Sequence, residues 1–128
     1  MEYKFSNILD FANFILGCYA RVKELHWRTQ SKAIHESLDN MTWSLSNILD
    51  RIMEQSLSIY GREVLNSGDV QATVIVCDNF EDLINLVNTT TVEFKNSLDG
   101  VSEFKAMSSE LDNFIFETNI DKYRGELV

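Results

Sequence analysis

Apolar side chains return along the first quarter of the chain at intervals of three and four residues. After Phe5 they fall at Ile8, Leu9, Ala12, Ile15, Leu16, Tyr19 and Val22, which places them on one face of a helix, and His26 stands at the next step of the stripe. The polar break "RTQS" follows, and Ser31 is a natural cap for a second helix from about Lys32 to Tyr60. Its inward stripe is Ile34, Leu38, Met41, Leu45, Ile48, Leu49 and Ile52, and Gly61 ends it. The next 17 residues, "REVLNSGDVQATVIVCD", lose the helical period and read as an irregular crossover with one short helical turn. A third helix is predicted from about Phe80 to Leu98, capped by Asp78 or Asn79, with Leu83, Ile84, Val87, Thr91, Phe94 and Leu98 inward. Asp99-Gly100 stops it. A fourth helix is predicted from about Val101 to Lys122, with Phe104, Met107, Leu111, Phe114, Ile115 and Thr118 on one face.

Four helices with one long connection make an all-α bundle, and residues 1–128 form a single domain on this reading. The two short breaks force antiparallel neighbours. Seventeen extended residues reach about 56 Å, whereas the second helix is only about 43 Å long, so the crossover can travel the full length of the bundle. The expectation is a ferritin-like arrangement with helices two and three parallel. An up-down-up-down bundle with a slack loop is the competing arrangement.

With no proline and only five glycines, the chain has few helix breakers, which favours long helices. A net charge of −9 disfavours DNA and anionic membranes as partners, and the basic residues are too dispersed to form a local patch that would override it. Cys18 and Cys77 stand alone, without metal-type pairing, and are expected as buried free thiols. No run of about 18 apolar residues and no leader pattern occurs, so the expected location is cytoplasmic. Gly-rich phosphate loops, a Ser-His-Asp context and zinc-type cysteine pairs are missing from the sequence as well.

The chemistry concentrates between Lys23 and Gln55, in "KELHWRTQSKAIHESLDNMTWSLSNILDRIMEQ". His35 and Asp39 are four apart on the second helix, and so are Asp50 and Glu54, so each pair presents two donors on one face. The eleven-residue step from Asp39 to Asp50 is close to three turns, so both pairs share a stripe. Along the axis, however, the two aspartates are about 16 Å apart, too far for one chain to join them around an ion. An antiparallel second copy, related by a two-fold axis between Ser44 and Leu45, would set His35 against Glu54 and Asp39 against Asp50, giving two equivalent sites. His26, across a short hairpin, is placed to turn towards His35. Two imidazoles and up to three carboxylates suit iron, with manganese and zinc as competitors. Either pair alone is more often a solvated helix face. Trp27 and Trp43 are expected as packing residues, Trp43 beside the two-fold axis, and Met41, Met53 and Met107 as core filler.

At these residues the chain resembles the Dps family, the DNA-protection-during-starvation branch of the ferritin-like superfamily. The family pattern is a His-Trp pair closing helix one, a histidine opening helix two, an aspartate four residues on, then an aspartate and a glutamate eleven and fifteen residues beyond. His26-Trp27, His35, Asp39, Asp50 and Glu54 stand in those roles here. "RIMEQSLSIYG" resembles the end of the family's second helix, and "SSELDNFIFETNI", more weakly, its last. The resemblance implies a shell-forming homo-oligomer, at least a dimer and up to a dodecamer, that binds iron between subunits and oxidises Fe(II) as a ferroxidase. Two features depart from the pattern: the interval between His26 and His35 is shorter than is usual in the family, and no basic tail of the kind with which some members hold DNA is present in these residues. The contrasting expectation is a non-enzymatic helical scaffold or small-ligand binder whose metal site is degenerate.

Overall fold

A computed structural model describes residues 3–127. Four α-helices form: α1 (Phe5–Arg28), α2 (Lys32–Tyr60), α3 (Phe80–Ser97) and α4 (Lys105–Gly125). Their ends follow local chemistry. The Ser31 hydroxyl accepts a hydrogen bond from the Ile34 amide at 3.2 Å, and the Asn79 side-chain oxygen accepts one from Asp82 at 2.8 Å, so each satisfies a donor that the first turn leaves free. Gly61 stops α2 with a φ of 92°, where a side chain would be strained. Two boundaries move: α1 continues past His26 to Arg28, and the fourth segment opens with a 3-10 turn at Ser102–Phe104 before becoming α-helical at Lys105. The crossover has one 3-10 turn, Arg62–Val64, as the loss of period suggested.

Two clusters set the directions of the helices. At one end, the foot, the Tyr60 hydroxyl donates to the Tyr3 carbonyl at 2.6 Å, Tyr3 and Ser97 hydroxyls meet at 2.8 Å, and the Tyr3 ring packs edge-on against Phe104. The start of α1, the ends of α2 and α3 and the start of α4 are therefore together. At the opposite end, the head, Leu25, Arg28, Ile34 and Phe80 line one depression, and Ile34, Phe80 and Gly125 a second. Hence α2 and α3 are parallel and both run from head to foot, while α1 and α4 run the other way. Each of α1 and α4 packs chiefly against α2 and α3.

The crossover climbs from foot to head along α1. The Asn13 side chain donates to the Asp69 carbonyl and accepts from the Gln71 amide, the Thr73 amide donates to the Asn13 carbonyl, and Arg21 donates through Nε to the Ile75 carbonyl at 2.8 Å. Since α2, α3 and the crossover all cover α1, its buried set is wider than one stripe. Phe11, Cys18 and Leu25 join Ile8, Ile15 and Val22 in the core, while Leu9, Leu16 and Tyr19 are half-buried. The inward positions of α2 and α3 follow the expected stripes, with Phe11 of α1 stacked on Phe94 at 4.1 Å between centroids. Met41 and Met107 are core residues and Met53 is half-buried. Cys18 and Cys77 are free and buried, and burial pushes the Cys18 thiol up to about 12, with Cys77 contributing. Such a thiol is unreactive at neutral pH.

Asp121, on the inward face of α4, is only 2% exposed, and its Oδ2 lacks a hydrogen-bond partner. Burial raises its pKa from 3.8 to about 6; Arg124 opposes that rise and Glu117 reinforces it. The native state thus favours the neutral acid. Below the unfolded value both states are protonated and there is no penalty; the penalty grows as pH rises through the interval and is complete above the folded value. At neutral pH it is on the order of 3 kcal/mol. Asp121→Asn should therefore be more stable than the wild type at pH 7.5 in urea unfolding, with the advantage vanishing near pH 3.5. An equal gain at both values would contradict this account.

Candidate metal centre

The last turn of α1 and the first turns of α2 meet at the head, joined by residues 29–31. Ser31 accepts from Ile34, and the Thr29 hydroxyl accepts from the Ser31 amide at 3.2 Å, so the connection is held at both ends. Across it, the His26 and His35 rings stack with centroids 3.8 Å apart and planes inclined by 29°. The short interval between them, which departs from the family pattern, does not keep the rings apart. One helical turn beyond His35, Asp39 brings its Oδ1 to 2.7 Å from His26 Nε2. Donor atoms of His26, His35 and Asp39 all lie within 4.8 Å of one another, the one such group of His, Cys, Asp and Glu among the described residues.

The contact between His26 and Asp39 is short but poorly directed for a hydrogen bond. Both ring nitrogens of His26 are buried and neither makes a hydrogen bond of acceptable geometry. A buried imidazole with unused nitrogens is costly unless something binds it. The carboxylate side of the cluster is open: 58% of the Asp39 side chain is exposed, against 17% for His26. A cation seated there would meet two nitrogen donors and one carboxylate oxygen, with its remaining positions facing outward. Three protein donors leave the remaining coordination positions open to solvent or to groups from elsewhere.

Asp50 and Glu54 stay apart from this group, as the axial rise of α2 requires within one chain. Both are exposed and lie on the same outer side of the helix as Asp39, Trp43 and Ser46. Trp27 is 76% and Trp43 73% exposed, so neither is a packing residue within the subunit. Met41, Leu45 and Ile48 take the inward face of α2, and Trp43 falls on the opposite face. Between α2 and α4 it borders a shallow groove with Asn47, Arg51, Glu110 and Phe114, where Arg51 and Glu110 pair at 3.0 Å.

Compared with family models, with curated proteins and with solved structures, the chain matches none. Function therefore has to be argued from the donor atoms and the fold. No described helix is long and apolar enough to cross a membrane.

Proposed function

We propose that this chain is a ferritin-like protein of the Dps type, which binds iron at sites shared by two-fold-related copies and oxidises Fe(II), so as to sequester iron and limit oxidative damage. The observation that carries this reading is the convergence of His26, His35 and Asp39, with both buried ring nitrogens of His26 lacking a well-directed hydrogen bond. Asp50 and Glu54 of the second copy would complete each site. The full-length crossover and the parallel run of α2 and α3 are what a ferritin-like bundle requires, and they support the same reading. Iron is the substrate here. Two Fe(II) ions each give up one electron, and one peroxide takes both with two protons to leave as two waters; oxygen can serve in place of peroxide. The carboxylates act by offsetting the charge of the ion, which rises as it is oxidised, and not by transferring protons.

Two measurements test this. Protein mixed with ferrous salt should oxidise it faster than buffer does, and Asp39→Ala combined with Glu54→Ala should bring the rate down to the buffer level. Identical rates for all three samples would overturn the reading. Elemental analysis after ferrous loading should give iron near one per subunit. A metal-free result would favour the scaffold reading, and stoichiometric manganese or zinc in preference to iron would remove the ferroxidase assignment.

The shared site requires a two-fold contact along α2. Leu45 is fully buried in its own bundle, so the contact would run through Trp43 and Ser46, each opposite the other in the partner. The stretch between Asp39 and Asp50 carries no charge, so two copies of an acidic protein can approach there. Trp43→Arg, in the middle of that contact, removes the indole and brings two like charges together, and should weaken the contact by at least tenfold. Light scattering that shows a wild-type monomer at micromolar concentration, or a Trp43→Arg protein with unchanged assembly, would remove the shared site.

A further inference from the structure

The crossover presents a second surface, unrelated to the metal cluster. Residues 69–77 form neither helix nor turn, and their backbone groups divide into two sets. One group from each of residues 69, 71, 73 and 75 bonds to α1: the Asp69 carbonyl and the Gln71 and Thr73 amides meet Asn13, and the Ile75 carbonyl accepts from Arg21. The Thr73 carbonyl lies so close to α1 that a Cβ on Gly17 would be 2.0 Å from it. The amides and carbonyls of residues 70, 72, 74 and 76 have no protein hydrogen-bond partner among the described residues. Side chains alternate in the same way near the head, with Ile75 and Cys77 only 8% exposed while Val74 and Val76 are 84% and 79% exposed.

This is the description of a strand whose inner edge is occupied by a helix and whose outer edge is open. An extended segment with free amides and carbonyls on one edge, and apolar side chains above it, takes up another strand. We propose that the outer edge of residues 70–76 pairs antiparallel with the same segment of a second copy, forming a two-stranded intersubunit ladder.

The choice of a second copy rests on register and charge. Centred on Thr73, antiparallel pairing sets Val70 opposite Val76 and Ala72 opposite Val74, so all four unpaired residues of each chain exchange hydrogen bonds at once. The exposed side chains that meet are then Val against Val and Ala against Val, pairs that favour a sheet. No charged residue lies between Asp69 and Asp78, so two chains of net charge −9 can meet along this edge without opposing like charges directly. The ladder uses no residue of the metal cluster, so it neither requires nor excludes the proposed iron chemistry. Together with the α2 contact it would give each subunit two different two-fold interfaces, which is what growth beyond a dimer needs.

Site-directed crosslinking tests the register, and assembly size tests the contact. In the Trp43→Arg background, where the α2 contact is removed, sedimentation should still show a dimer. Adding Val74→Lys and Val76→Lys should convert it to a monomer, with circular dichroism and melting temperature unchanged. Thr73→Cys, at the axis, should give a disulfide-linked dimer under mild oxidation at least tenfold faster than Val76→Cys, which pairs with Val70 in this register. A Trp43→Arg monomer would overturn the ladder while leaving the iron reading intact. Equal crosslinking of the two cysteine variants would overturn the register, and binding of unrelated extended peptides without self-association would show the edge to be a peptide-docking site instead.

Discussion

Gly17→Ala should unfold at markedly lower urea concentration than the wild type, with a loss of roughly 2–4 kcal/mol. In an isolated helix the same change would be favourable by about 1 kcal/mol, because alanine is the better helix former. Here the added methyl would sit 2.0 Å from the Thr73 carbonyl oxygen and 3.0 Å from Ile75 Cγ1. The obstructing atom is backbone, so no side-chain rotation relieves the overlap; the crossover has to lift away from α1. That movement also breaks the bonds from the Thr73 amide to Asn13 and from Arg21 to the Ile75 carbonyl, and it opens the buried places of Ile75 and Cys77. Amide exchange should therefore quicken first in residues 69–77 and along the face of α1 beneath them, before the α2 and α4 pair loosens. A Gly17→Ala protein as stable as the wild type would mean that the crossover does not lie on α1 as described.

The second large effect is expected at Asp39, and on metal affinity instead of stability. Asp39→Ala removes the one carboxylate that stands with the two imidazoles, and binding should weaken by at least about 100-fold, near 3 kcal/mol. Its side chain is 58% exposed, so the fold should be little affected. A chain of net charge −9 attracts cations whatever its sites, so the comparison needs a charge-matched control. Asp10→Ala deletes the same charge from an exposed position near the foot, outside the cluster, and should change affinity by no more than about twofold, since exposed charges beyond a Debye length are screened. Anaerobic calorimetry with Fe(II) on the three proteins distinguishes specific binding from attraction by net charge. Equal affinities in all three would leave His26, His35 and Asp39 as a chance gathering. His26→Phe, keeping the ring volume, should also lose affinity while gaining stability, because it removes two buried nitrogens that lack hydrogen-bond partners.

What the amino-acid sequence determined by itself is whatever depends on neighbours within a turn or two. The four helices are legible because apolar residues recur at three and four. Their ends are legible because Ser31 and Asn79 can cap, and because Gly61 tolerates a φ of 92°. The pairing of His35 with Asp39 follows from the helical rise alone, as does the separation of both from Asp50 and Glu54 within one chain. Period, capping and rise are properties of the local backbone, so no tertiary contact is needed to read them.

Tertiary structure decided the rest, for reasons of packing. Whether His26 meets His35 depends on how the α1–α2 hairpin closes, and the ring centroids come to 3.8 Å only once the two helices pack. The path of the crossover was bounded by its reach but chosen by Asn13, Gly17 and Arg21, residues 54 to 58 positions away in bonded partners such as Ile75 and Gln71. Phe11 and Leu25 became core because α1 is covered on several sides, a fact no single stripe records. Asp121 was taken inside because the inward face of α4 passes through its position. Burial is a property of the assembled helices. A side chain whose type conflicts with its place, such as a buried carboxyl, is therefore one that a one-dimensional hydrophobic pattern does not record.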